Sequence, residues 1–138
     1  MNLTLETIVP NADNGKKIAK FLSESFWTEH SLSGDKSPEI DWSRASAHIN
    51  HFMFEGIVYN VNDGDTIVGS IAVAPDKHWW SAEEYVGDGW FFVLPKYRNL
   101  KDQTSPSHLL IDAVIDYANK LEKPLIMGVF NLQGVERA

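Results

Sequence analysis

The chain has 138 residues, 43% of them hydrophobic and 22% charged, with no cysteine and a formal net charge of −7. That length predicts one domain over residues 1–138 with a core that needs no covalent staples, and the lack of cysteine excludes disulfides and thiolate chemistry. The acidic balance argues against nucleic acid as a partner, because holding phosphates takes Lys and Arg; it suits a cationic amine or basic peptide, or simply a solubilising surface.

Leu3 to Val9 reads as a first strand with Leu3, Leu5 and Val9 on one face, ended by Pro10-Asn11. Asn11 or Asp13 can cap a helix running to about Trp27, with Ile18, Phe21, Leu22 and Phe26 as its apolar stripe. Ser31 to Pro38 is small and polar and reads as a loop. Asp41 or Ser43 caps a second helix to about Glu55, with Ala45, Ile49, Phe52 and Met53 inward and Gly56 ending it. His48, His51 and Glu55 fall at i, i+3, i+7 on that helix. Such a face can hold zinc, with His30 as a fourth ligand, or touch an acceptor; His-x-x-His is also a common accident of amphipathic helices, and no metal is expected.

Ile57–Val61 and Thr66–Val73 flank Asn62-Asp63-Gly64-Asp65, a strong hairpin signal. A calcium loop is not expected there, because no Glu follows at the twelfth loop position. Pro75 to Gly87 reads as the connection to the next strand. Its adjacent Trp79 and Trp80 form either an exposed binding patch or a cover over one edge of the core.

Gly89 to Pro95 is an apolar run closed by proline, as expected of a strand buried on both faces. Tyr97 to Ser105 is polar and aperiodic. Pro106 to Lys123 is the clearest helix: Leu110, Val114, Tyr117, Ala118 and Leu121 share one face. Ser105 can cap it, with Pro106 in the first turn where a missing N–H costs nothing. Lys120 and Lys123 suit the negative end of its dipole, and Pro124 stops it. Leu125 to Phe130 is a further strand. Strand, helix, strand at this length predicts a crossover between parallel strands, which sets a helix N-terminus and its unpaired N–H groups beside a strand end, a setting for anions. No apolar run reaches membrane-spanning length and Met1-Asn2-Leu3 lacks a basic leader, so a cytoplasmic protein without a membrane partner is expected.

The element order β-α-α-β-β-β-α-β predicts an α/β (α+β) fold, a mixed sheet of about five strands flanked by helices. Phe91-x-Val93-x-Pro95-x-Tyr97-Arg98-Asn99, then a helix carrying Leu109-Leu110 and Tyr117-Ala118, then a strand ending in Asn131, resembles the acyl-CoA-binding core of the GNAT superfamily of N-acetyltransferases. The element order is similar to that family's as well. The resemblance implies acetyl-CoA as cosubstrate and a primary amine, on a small molecule or a protein, as acceptor. It implies a backbone N–H at Val93 or Leu94 that polarises the thioester carbonyl, with Phe92 and Val93 lining the pantetheine and Asn131 at the end of the fifth strand. Deprotonating the amine needs a base, for which the candidates before the fourth strand are Glu83, Glu84, Asp88 and His78, with Glu84 and Asp88 foremost. Asp88 can instead cap the turn at Gly87–Gly89.

The phosphate loop departs from the family pattern, Arg/Gln-x-x-Gly-x-Gly/Ala. Between Arg98 and His108 this chain has no glycine and a longer spacing. Gln103 with Pro106 and His108 in the glycine positions is an alternative register, in which Pro106 removes an amide. Side chains of Arg98, Lys101, Gln103, Thr104, Ser105 and Ser107 would then hold the pyrophosphate, through charged hydrogen bonds of about 1.5–3 kcal/mol each. The family also continues past Asn131 through a helix, often bearing a Tyr that protonates the leaving thiolate, and two strands; here Leu132 to Ala138 follow, and no tyrosine comes after Tyr117. Either the chain is shortened or it is a reduced member. In a reduced member the Leu125–Phe130 strand is an open apolar edge, so a homodimer is expected. Two readings stand: an N-acetyltransferase, favoured by the Val-x-Pro-x-Tyr-Arg run and Asn131, and a catalytically inactive GNAT-shaped binding or assembly protein, favoured by the missing glycines and short end. An acidic mimic of nucleic acid is disfavoured, because the acids are spread through a core-forming pattern.

Overall fold

The computed structural model describes residues 2–26, 39–98 and 104–128. β1 (Leu3–Thr7) leads to α1 (Ala12–Phe21), which opens where the Asn11 side chain accepts from Asn14 N and the Asn14 side chain donates back to Val9 O. A π turn, Leu22–Phe26, extends α1. α2 (Trp42–Glu55) is capped by Asp41, whose carboxylate accepts from the N–H groups of Ser43 and Arg44. β2 (Ile57–Asp63) and β3 (Thr66–Lys77) form the expected hairpin, with Gly64 at a left-handed φ of 62° that its missing Cβ permits. β4 (Glu84–Val93) follows, then a 3-10 turn at Pro95–Tyr97, α3 (Pro106–Leu121) and β5 (Leu125–Ile126).

The sheet order is β1-β2-β3-β4-β5, antiparallel through β4, with β5 parallel to β4. The parallel crossover through α3 is therefore as expected. Alternation along the strands splits the core into two layers. Val61, Val68, Ile71, Val73, Val86 and Val93 face α3, whose Leu110, Val114 and Ala118 are buried against them. Val58, Ala72, Trp90 and Phe92 face α1 and α2, meeting Ile18, Phe21, Ile49 and Met53.

Several local expectations change. β1 is an edge strand, and Leu5 and Val9 are exposed while Ile8 is buried, so Leu3, Leu5 and Val9 do not form an inward face. β3 does not end at Val73 but runs through Pro75 to Lys77, and the connection shrinks to residues 78–83. Val86 N–H donates to Pro124 O on the β5 side, so the facing Pro75 is at a wide pair. Its missing N–H would point past Ile57, where β2 begins, and no ladder bond is lost. The strand at Gly89 is longer than expected and is not buried on both faces, since Phe91 is 36% exposed. α3 stops at Leu121 because Glu122 turns left-handed (φ 56°), not at Lys123. Beyond Gly128 the expected strand residues Val129 and Phe130 lie outside the described residues.

Candidate active site

The centre of the molecule is a slip in the β3–β4 ladder. Ala72 faces Trp90, but Val73 faces Asp88, which leaves Gly89 as the extra residue of a β-bulge. α2 clasps that residue. His48 Nε2 lies 3.1 Å from Gly89 O, and because a carbonyl only accepts, Nε2 carries the proton. Phe52 lies over the same residue, so a Cβ on Gly89 would sit 2.7 Å from its ring.

On its other edge β4 pairs with β5 only at Val86–Leu125 and Gly87–Ile126 among the described residues. One residue further the backbone ladder has stopped: Gly128 N–H donates to the Asp88 side chain (3.1 Å) instead of to a β4 carbonyl. Among the described residues a gap therefore opens along β4 beyond Asp88. Which groups face it follows from alternation. Leu94 N–H donates to Val68 O (2.9 Å), so Leu94 and Phe92 turn their amides to β3, while Phe91 and Val93 turn theirs to the gap. Arg98 closes the far end, its Nε donating to Val93 O (2.7 Å) and its guanidinium lying 4.8 Å from the centre of the Phe92 ring.

The structure sorts the expected site residues. Val93 N–H is aimed at the gap, whereas Leu94 N–H, its alternative, is held by Val68. Phe92 turns its amide to β3 rather than to the gap, and its ring lies on the α1–α2 face of the sheet, edge-on to Phe21 at 6.0 Å. Phe91 has the gap-facing N–H that the motif reading missed; only the two-residue period of the strand, carried back from Val93, would have found it. Asp88 stands where the ladder parts. Glu84 does not: it pairs with Lys123 (3.3 Å) at the opposite end of β4, and Phe91 is seven positions on, roughly 20 Å at a strand's ~3.3 Å rise. His78 and Glu83 lie in the connection before β4, further still from Phe91.

Ser105 is 1% exposed, and its Oγ accepts from His108 N and lies 2.9 Å from His108 Nδ1, so the hydroxyl is used as the α3 cap rather than presented to a ligand. Thr104 is exposed and Ser107 half-buried at the start of that helix. Lys101, Gln103 and Asn131 lie outside the described residues. Tyr97 of the motif is buried, and its hydroxyl donates to Asp63 Oδ2 at 2.7 Å, tying the turn after β4 to the β2–β3 hairpin. Among the described residues no group of three or more His, Asp and Glu is placed to hold a metal, and His48 is committed to Gly89 O. No described helix is long and apolar enough to cross a membrane.

On the α2 side of the bulge lies an open groove of about 270 Å³. Ala74 and Gly87 form its floor and Phe52 and Tyr85 its walls, with Asp76 level with Tyr85 at one end and Asp88 at the other. His51 of α2 and Ile126 of β5 also line it. Trp79 and Trp80 are 95% and 66% exposed, which rules out their covering the core. Trp80 instead stacks on His78 (4.8 Å, 15°), and His78 on Tyr85 (4.5 Å, 24°), a column that backs one wall of the groove.

No family model matches this sequence, and no curated protein matches it. Solved structures do. A predicted acetyltransferase of Clostridium acetobutylicum with acetyl-CoA superposes with a TM-score of 0.69 at 12% identity, over 94% of this chain and 82% of that one. A GNAT family acetyltransferase of Staphylococcus aureus gives 0.60 at 17% identity, over 98% and 92%. An aminoglycoside acetyltransferase from an uncultured soil metagenomic sample, in complex with trehalose, gives 0.63 at 11%, over 94% and 79%. With its sheet bulged at β4 and a parallel β5 parting from it, and with acetyltransferase structures matching nearly all of the chain, this protein has the GNAT fold.

Proposed function

We propose that the protein is a GNAT-type acyltransferase that moves an acetyl group from acetyl-CoA to a primary amine. The observation that carries this reading is the pair of N–H groups, on Phe91 and Val93, turned into a gap that β5 does not close among the described residues. Acetyl-CoA fits such a gap in kind. Its arm is a chain of amides that can pair with a bare strand edge, and Arg98 at the far end has the charge that a phosphate needs. Thr104 and Ser107, near the start of α3, are further described residues that the reading assigns to it. The cofactor supplies an acyl group already activated as a thioester.

The chain's own groups supply the rest. Backbone N–H donors fixed in a ladder polarise a carbonyl without reorganising as charge develops. Asp88 is the base: Gly128 N–H fixes its Oδ1, and the carboxylate accepts the proton that an ammonium must lose before its nitrogen can attack. His48 and Phe52 hold the bulge on which both the N–H pair and Asp88 depend.

The second reading, a GNAT-shaped binding protein without catalysis, has support in Ser105 and Pro106. One hydroxyl is buried in a cap and one amide is missing at the helix end where phosphates would sit. Thermal melting with acetyl-CoA, against ADP as control, separates the two. Saturation at about 100 times the dissociation constant adds roughly 2.7 kcal/mol, which is about 5–10 °C for a chain of this size. A larger shift with acetyl-CoA than with ADP supports the acyltransferase. No shift at millimolar cofactor removes it in favour of the binding protein.

A further inference from the structure

We infer that the core under the α1–α2 layer holds an internal water, bound between the side chains of Asn60 on β2 and Ser70 on β3. It completes a hydrogen-bonded line across three strands, Trp90–Ser70–water–Asn60, that backs the bulge. The inference concerns the folded chain alone and does not rest on the acyltransferase reading.

The first observation is an acceptor without a donor. Asn60 is 3% exposed, and among the described residues its Oδ1 has no hydrogen-bond partner. It is the one buried side-chain atom in that state among those residues. A buried amide oxygen stripped of water and left unpaired is costly, and native cores leave few of them.

The second is a donor without an acceptor. Ser70 is 1% exposed, and its Oγ accepts from Trp90 Nε1 at 2.9 Å. A hydroxyl that accepts still has its own hydrogen to give. Among the described residues Trp90 is the one partner of that hydroxyl, and an indole N–H cannot accept.

The third is the spacing. Asn60 and Ser70 stand directly opposite each other in the β2–β3 ladder. They share the parity of Val58 and Ala72, so both side chains rise into the layer that α1 and α2 cover. The Cβ atoms of such a pair are about 4.5–5.5 Å apart. The two groups do not bond each other, and a water making two bonds of about 2.8 Å each spans a separation of that size. Ser70 and Ala72 are neighbours on this face of β3, and their small side chains leave depth for it. The water accepts from the Ser70 hydroxyl and donates to Asn60 Oδ1, and two polar partners suffice to hold a buried water. The line ends on Trp90, whose ring lies 6.1 Å from those of His48 and Phe52, the residues that clasp Gly89.

The test is a crystal structure of the full chain at a resolution that shows ordered water. The expected result is a single water within hydrogen-bond reach of both Asn60 Oδ1 and Ser70 Oγ. A direct bond between Asn60 and Ser70, or no water between them, would overturn the inference. In solution, magnetic relaxation dispersion of the water oxygen counts long-lived internal waters. Asn60→Leu puts an apolar side chain of similar size in the place of the acceptor and should lower that count by one. A folded Asn60→Leu protein with an unchanged count would overturn the inference as well. The crystal structure uses the unaltered chain, so it decides the matter even where the variant does not fold.

Discussion

The hydrogen bond from Tyr97 to Asp63 is a residue of the motif working through position. It holds the Asp63 carboxyl below its usual range, with help from the N–H of Asn2, and pushes the Tyr97 hydroxyl up. A depressed carboxylate stabilises the fold above its unfolded pKa of about 3.9, and that contribution is lost as pH falls through the lower folded value. Tyr97→Phe should therefore lower Tm at neutral pH and lose less on further acidification than the wild type, in melting curves from about pH 7 to pH 2. Curves that stay parallel throughout would mean that the bond does not set the acid limb. Arg98 carries a heavier load than phosphate contact alone, since it also bonds Val93 O and covers Phe92. Arg98→Ala should cost about 1 kcal/mol of stability, the charged bond being discounted for its exposure. It should also abolish the melting shift with acetyl-CoA. Arg98→Lys keeps the charge without the planar fork, so it should recover part of the shift and little of the stability. A full shift in Arg98→Ala would remove this residue from the cofactor site.

At the scale of elements the bulge in β4 decides what the site can be. An added methyl at Gly89 would press on the Phe52 ring, so Gly89→Ala should destabilise by roughly 1–3 kcal/mol in chemical denaturation. If the clash is the cause, Phe52→Ala in the same chain should restore part of that loss; a purely additive double variant would place the cause in the backbone. The bulge also explains how far the site was legible in the sequence. α3 could be read almost to the residue, because Ser105, Pro106 and the Leu110–Val114–Ala118 stripe report local physics that tertiary contacts do not override. The β2–β3 hairpin was legible for the same reason, through Asp63-Gly64. Pro75 was not: a proline ends a strand unless its amide faces an edge, and only the position at which β2 begins shows that it does. The motif points to Val93, but which amides of Phe91, Phe92 and Val93 turn away from β3 follows from strand parity, and that parity is visible only once the ladder is known. Ser105 stood in the sequence as both helix cap and phosphate ligand, and burial decides between the two.

The whole molecule sets the field in which a charged acceptor arrives. Twelve basic residues stand against nineteen acidic ones, a net −7. A field of that sign draws cations toward the surface over a distance that salt controls, about 10 Å at 0.1 M and about 3 Å at 1 M. Raising sodium chloride from about 0.02 M to about 0.5 M should therefore weaken the binding of a cationic amine several-fold and leave an uncharged analogue of the same shape nearly unchanged, in calorimetric titrations. A cationic amine that held equally well at both salt concentrations would be bound without help from that field, and the acidic balance of the chain would have no part in choosing the acceptor.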